Sequence, residues 1–204
     1  MAAQRATTGE KCVPGLLLVI SGPSGTGKGT ICQALISQQN QVRYSVSATT
    51  RPPRVGEVDG VHYYFKTQEQ FQGMIDRDEL IEWAKVYDNY YGTPKGPVRQ
   101  SLQLAQDIIL EIDVQGAFQV KEKYPAGIFV FIAPPSLAEL RKRIEGRATD
   151  APEVIAKRME AADWELEQAD KYDYVIINDS VQAATAKLAA ILKKEKEKRI
   201  KIKE

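Results

Sequence analysis

Gly15–Leu–Leu–Leu–Val–Ile–Ser–Gly–Pro–Ser–Gly–Thr–Gly–Lys–Gly–Thr30 decides the architecture. Its first part, Gly15–Ser21, is a short continuous aliphatic run, the pattern of a strand buried on both faces of a parallel sheet. Its second part, Gly22–Lys28, fits the phosphate-loop pattern G-x-x-x-x-G-K. Beyond it, Lys28–Gln39 spaces Ile31, Leu35 and Ile36 for an amphipathic helix. A strand, a glycine-rich loop and a helix in that order open an α/β fold. In such a loop the glycines let successive backbone N–H groups converge on phosphate oxygens, and the helix dipole adds partial positive charge. Gly22, Pro23, Ser24, Gly25, Thr26, Gly27, Lys28, Gly29 and Thr30 are therefore candidate nucleotide-binding residues, with Lys28 giving a full charge to the β- and γ-phosphates.

One position departs from that pattern. Ser or Thr is expected directly after the lysine, to touch Mg2+, but here Gly29 precedes Thr30. Either Thr30 compensates, or the metal is held by nucleotide phosphates, water and a carboxylate at the end of another strand. Asp113, which closes Asp107–Asp113 (DIILEID), is the candidate carboxylate, acting through water; its alternative is a turn or helix-capping aspartate.

Composition bounds what the rest can be. With 204 residues, 43% hydrophobic and 27% charged, the chain can bury a sizeable core, which excludes a wholly disordered protein. Lys+Arg 28 against Asp+Glu 27 argues against a nucleic-acid coat, whose phosphate contacts need a basic excess. Two cysteines, Cys12 and Cys32, lack a disulfide framework or metal spacing and point to a reducing compartment. The longest apolar run, Leu16–Ile20, is too short to span a bilayer or serve as a secretory h-region. A cytoplasmic enzyme or binding protein is expected, with neither membrane nor nucleic acid as a partner.

Two further runs repeat the buried-strand pattern, Asp107–Asp113 and Gly127–Ala133, with Tyr174–Ile177 as a fourth. Helices are expected at Ser136–Glu145, Pro152–Asp170 and Ser180–Lys198. Between Ser47 and Pro97 the texture turns to turn formers, tyrosines and charges, with GEVDG as a turn between short strands, so this segment reads as an insertion. There Arg51 and Arg54 flank Pro52–Pro53, and rigid guanidinium forks suit a phosphate monoester, although a solvated loop is the competing reading. Tyr63 and Tyr91 can add hydroxyl donors or simply pack. His62, the single histidine, reads as structural, and Glu82 is open between site and surface. Met1–Pro14 is polar and aperiodic. The last twelve residues carry seven Lys/Arg and three Asp/Glu, which leaves 21 basic against 24 acidic side chains in residues 1–192. That mixed-sign end is read as a solvated, fraying helix end in preference to a docking segment.

From about Leu16 to Leu192 these segments resemble a guanylate kinase: ISGPSGTGK, SVSATTRPPRVGEVDGVHYYF, LIEWAKVYDNYYGTP, ILEIDVQGA, FIAPPS, LRKRIEGR, EVIAKRM and VIIND stand in the family's order and spacing. The resemblance implies a P-loop NTPase-type α/β core with a parallel five-stranded sheet flanked by helices, a mixed-sheet GMP-binding insertion and a helical lid. The divisions expected from it are a flexible segment 1–14, core at 15–46, 97–135 and 166–192, the GMP subdomain at 47–96, the lid at 136–165 and a basic tail at 193–204.

The same resemblance implies roles. Ser47 and Thr93 bond the guanine carbonyl; Arg51, Arg54, Tyr63 and Tyr91 bind the GMP phosphate; Glu57 buttresses the arginines. Glu82 accepts from the guanine ring N–H and amine. Arg143, Arg147 and Arg158 are the lid arginines near the transferring phosphoryl group, against the alternative of a basic face paired with Glu139 and Glu145, and Asn178 lines the adenine side. Glu111 stands where the family often has an aspartate reaching the guanine amine. Ala148 and Pro152 also depart from the commoner pattern and are expected to stiffen the lid loop. The implied activity is Mg2+-dependent transfer of the ATP γ-phosphoryl group to GMP by a monomer or small homo-oligomer, with dGMP tolerance left open. The alternatives are a non-catalytic protein-binding module of the same fold and an adenylate-kinase-type enzyme, which shares GKGT but not SVSATTRPPR or NYYGT.

Overall fold

The structure, a computed structural model, describes residues 15–86, 88–146 and 152–201. The segment 1–14, with Cys12, and the positions Arg147 and Ala148 lie outside the described residues. In chain order the elements are β1 (Leu17–Ser21), α1 (Lys28–Gln38), β2 (Val42–Tyr44), β3 (Ala48–Thr49), β4 (Tyr64–Phe65), α2 (Gln68–Asp76), β5 (Leu80–Val86) and β6 (Asn89–Pro94). There follow α3 (Lys95–Gln103), β7 (Asp107–Glu111), α4 (Val114–Lys123), β8 (Ile128–Ala133), α5 (Leu137–Glu145), α6 (Pro152–Glu167), β9 (Tyr174–Ile177) and α7 (Val181–Lys201).

β1 lies at the centre of a five-stranded sheet of order β2-β7-β1-β8-β9, in which every pairing is parallel. All five β1 residues are buried because the two-residue period sends them alternately into two cores. Leu16, Leu18 and Ile20 pack with Ile31 and Leu35 of α1 and Leu188 and Leu192 of α7. Leu17 and Val19 pack on the other face with Val98 of α3 and Val114, Ala117 and Val120 of α4. Parallel register, Ile20 beside Glu111 and Ser21 beside Phe131, brings the carboxyl ends of β1, β7 and β8 to one edge. Open α/β sheets bind ligands there.

A second, mixed sheet of order β4-β3-β6-β5 occupies the 47–96 segment. Strands β3 and β4 run parallel, so GEVDG lies in a wide crossing between them instead of in a hairpin. Ala48, Phe71 and Leu80 form its small core under α2. Thr67 and Gln70 close the start of α2 with a reciprocal capping box. Ile81 of β5 enters the main core, and Gln119 of α4 exchanges two hydrogen bonds with the Trp83 backbone, fixing this sheet against α4. Helices α5 and α6 share an apolar cluster of Leu140, Ile144, Met159 and Ala162.

Residues 193–201 continue α7 and are tied to the body, in contrast to the fraying end expected from their mixed charge. Lys196 Nζ lies 2.6 Å from the Asp107 carboxylate, and Arg199 donates to the carbonyls of Ala126 and Gly15. Asp107 is 1% exposed and its Oδ1 also accepts from the Leu16 N–H at 2.9 Å. Asp107→Ala strands that amide and one end of the ion pair. We expect a loss of about 2–3 kcal/mol, read as a fall of roughly 5–10 °C in thermal midpoint with the GMP KM unchanged. An unchanged midpoint would show that the pair contributes nothing.

Candidate functional site

The loop from Gly22 to Gly27 turns between β1 and α1 with φ of 131°, 90° and 86° at Gly22, Gly25 and Gly27. L side chains rarely adopt such backbone. Space forbids them too: a Cβ at Gly27 would come within 2.6 Å of Asn178 Nδ2, and one at Gly25 within 2.9 Å of Ile144 Cγ1. Lys28 Nζ donates to the carbonyls of Gly22 and Pro23 at 2.6 and 2.9 Å, curled over its own loop. Burial pushes its pKa down, while Glu111, Glu165 and Asp113 oppose that shift and favour the ammonium.

Asn178, 3% exposed, donates through Nδ2 to the Thr26 carbonyl at 2.7 Å. The structure thus places it as a brace between the end of β9 and the phosphate loop. Arg143 donates to the Asn178 carbonyl at 3.3 Å while pairing with Glu139, one turn earlier on α5, at 3.0 Å. Arg158 of α6 extends Nη1 to Ser24 Oγ at 3.4 Å. Of the three arginines singled out from the sequence, Arg158 meets the phosphate loop directly and Arg143 meets Asn178, which braces it; Arg147 lies outside the described residues.

At the end of β7, Asp113 caps α4, its Oδ1 accepting from Gly116 N at 2.8 Å. The capping alternative is therefore realised, and Asp113 still lies close enough to Lys28 to stabilise its charge. Thr30 is exposed on α1. Glu111 accepts from the Tyr44 hydroxyl at 2.7 Å. Glu165 of α6 belongs to the same charge group, and burial raises its pKa. No motif marks Glu165 in the sequence; its signal is position, seven residues after Arg158 and thus on the same face of α6.

In the segment of the second sheet, Arg51 pairs with Glu57 at 2.8 Å, and the other oxygen of Glu57 accepts from Arg54 N at 2.7 Å. Arg51 holds Glu57 down to about 2, so the brace stays charged at any working pH. The Arg51 guanidinium stands 5.4 Å over the Tyr63 ring, which meets Tyr91 edge-on at 6.1 Å. Arg54 is exposed on the same loop. His62 accepts from Val58 N and closes the turn, a structural role.

Glu82 sits on β5 and is 3% exposed. Its Oε1 accepts from Thr93 Oγ1 at 2.6 Å, and its Oε2 lies over the first turn of α4, where a Cβ on Gly116 would meet it at 2.5 Å. Burial raises its pKa to about 7 against the opposing Thr93 hydrogen bond. Ser47, immediately before β3, is half-buried, its carbonyl accepting from Tyr64 N. A buried carboxylate with one committed oxygen can read a ligand that presents N–H donors.

The family model described as guanylate kinase matches residues 15–195, nearly the whole described chain. The chain belongs to the guanylate kinase family. A guanylate kinase of Desulfitobacterium hafniense is 56% identical over 182 residues, covering 89% of this chain and 91% of that protein. One from Bacillus subtilis is 52% identical over 189 residues, covering 92% and 93%. The crystal structure of guanylate kinase from Anaplasma phagocytophilum superimposes with a TM-score of 0.75 at 33% identity, over 90% of this chain and 87% of that one. The α/β architecture with a parallel five-stranded sheet is thus this guanylate kinase's fold by sequence and structure alike. Among the described residues, no helix is long and apolar enough to cross a membrane.

Proposed function

We propose that this guanylate kinase, an ATP:GMP phosphotransferase, holds the two nucleotides on opposite walls of the cleft and passes the γ-phosphoryl group directly between them, giving ADP and GDP. Gly22, Pro23, Ser24, Gly25, Thr26, Gly27, Gly29 and Thr30 line the ATP side, with Lys28 on the β- and γ-phosphates and Asn178 behind the loop. Arg51, Arg54, Tyr63 and Tyr91 take the GMP phosphate, with Glu57 holding the two arginines in register. Arg143 and Arg158, and by resemblance Arg147, stabilise charge on the transferring group. The observation that carries this reading is buried Glu82: adenine offers a bare ring nitrogen where guanine offers N–H, so a carboxylate there accepts guanine and repels adenine. The Thr93 proton points to Glu82, which leaves Ser47 to donate to the guanine carbonyl.

The acceptor phosphate is already an anionic nucleophile, so no strong general base is needed; positioning and charge stabilisation do the chemistry. The residues suit Mg2+ carried in with ATP. Among the described residues no three acidic, His or Cys side chains cluster as a metal cage, yet Glu111 and Asp113 set carboxylates beside Lys28. That donor set matches an ion that keeps its waters and binds mainly through nucleotide phosphates, with Asp113 reached through water. When bound, the ion neutralises charge on the β- and γ-oxygens. The α5–α6 pair, resting on the phosphate loop, excludes water that would otherwise take the phosphoryl group.

Two measurements check the reading. In a coupled ADP-release assay with ATP and Mg2+, we expect turnover with GMP and a preference over AMP of at least about 10²-fold; no turnover with GMP, or a preference for AMP, sinks it. Glu82 must be charged to accept from guanine, and burial holds it near 7. The ratio of GMP KM to AMP Ki should therefore rise as pH falls below 7, by about tenfold per unit, since phosphate titration is common to both ligands and cancels. A flat ratio between pH 5 and 8 would remove Glu82 from base recognition.

A further inference from the structure

We propose that Tyr44 and Gly29 position Glu111, setting its reach to the guanine amine; this rests on the assignment of Glu111 to the GMP site. Tyr44 is the last residue of β2, the edge strand beside β7, and pairs in register with Ile109, two residues before Glu111. Its ring packs against the core under α1, and its hydroxyl crosses to donate to Glu111 Oε2 at 2.7 Å. Burial, together with that carboxylate, pushes the phenol pKa up, so it remains a donor at any working pH. From the other side the carboxylate leans on the first turn of α1: a Cβ at Gly29 would stand 3.3 Å from Oε2 and 3.5 Å from Oε1.

Two departures from pattern are therefore one feature. The glutamate at 111 is one methylene longer than aspartate, and its carboxylate lies against the position where the phosphate-loop pattern puts a Ser or Thr side chain. Glycine at 29 leaves the room. The extra methylene adds a rotatable bond, whose freedom is lost on binding unless something fixes it beforehand. Lys28 is the competing partner for this carboxylate, being close enough for Glu111 to be the largest charge favouring its ammonium. The Tyr44 hydroxyl holds Glu111 toward the acceptor side and supplies that preorganisation.

The test compares GMP with inosine monophosphate, which keeps the ring N–H and carbonyl but lacks the amine, in steady-state assays of Tyr44→Phe, Gly29→Ala and Glu111→Gln, with thermal melts alongside. Tyr44→Phe should raise the GMP KM about tenfold, the scale of one hydrogen bond to a charged group, with kcat and the inosine monophosphate KM within about twofold. Gly29→Ala should move the GMP KM the same way by about threefold, as the carboxylate gives by a few tenths of an ångström. Glu111→Gln should lower the preference for GMP over inosine monophosphate by at least as much as Tyr44→Phe. If Glu111→Gln lowers that preference and Tyr44→Phe does not, the positioning role is overturned while Glu111 keeps its place. If Glu111→Gln leaves the preference intact, the underlying assignment fails and the proposal with it. Equal losses for both acceptors in Tyr44→Phe, with a lowered melting point, would mean a structural tyrosine only and would also overturn it.

Discussion

Lys28→Met should lower kcat by about 10²–10³-fold while the GMP KM stays within a few fold, measured in the ADP-release assay at saturating ATP. Methionine keeps the length and apolar stem of lysine and removes only the charge. Without nucleotide that charge rests on the carbonyls of Gly22 and Pro23. Phosphate oxygens compete for the same ammonium, and their demand is greatest as negative charge develops during transfer, so the loss falls on turnover. Stability should move the other way or not at all. Burial depresses the Lys28 pKa, meaning that the charged form opposes folding at neutral pH, and methionine has no such cost. A variant that melts no lower than the parent and turns over at near-parent rate would refute the loop assignment.

Glu82→Gln should reduce kcat/KM for GMP by about 10²–10⁴-fold and collapse the preference over AMP, because the amide sets its own donors against those of guanine. The same substitution should stabilise the free protein. A carboxyl raised to about 7 from 4.5 favours the folded state in its neutral form. That contribution is whole below pH 4.5 and is lost as pH rises through 7, at most about 3 kcal/mol. Glutamine stays neutral throughout, so its thermal midpoint should exceed the parent's by up to about 6–12 °C at pH 8 and match it at pH 4.5. Lower activity with a higher midpoint is the mark of a binding group held in an unfavourable state; an unchanged GMP:AMP ratio would exclude Glu82 from recognition.

Where a local pattern carries the information, the sequence discloses the fold. Aliphatic runs expose β1, β7, β8 and β9, and the three-residue gap between Ile31 and Leu35 exposes α1. The three-residue edge strand β2 has no such pattern, since its neighbours on one side are solvent. Helix α4 hides behind Gly116 and behind Asp113, whose capping role is indistinguishable in the sequence from a metal role. Helix α2 did have a legible start in Thr67-x-x-Gln70. At the site, the phosphate loop is readable from its glycines; Arg51 and Arg54 stand out beside Pro52–Pro53, but a solvated loop competes with a phosphate site there, and Glu57's place is implied only by the family resemblance. Glu82 is not readable: nothing in the residues around it tells a site carboxylate from a surface one, and it becomes a buried acid only when β5 folds against α4. Tyr44 and Glu165 reach the site across 67 residues of chain in one case and from another helix in the other, and only tertiary structure reveals them.

Arg199 and Lys196 anchor α7 to Gly15, Ala126 and Asp107, which stand at the entry ends of β1, β8 and β7. The nucleotides are assigned to the exit ends of the same strands. Heat tolerance and turnover are thereby lodged at opposite poles of one sheet, so the carboxyl-terminal helix offers positions at which the enzyme can be hardened or softened without retuning its chemistry.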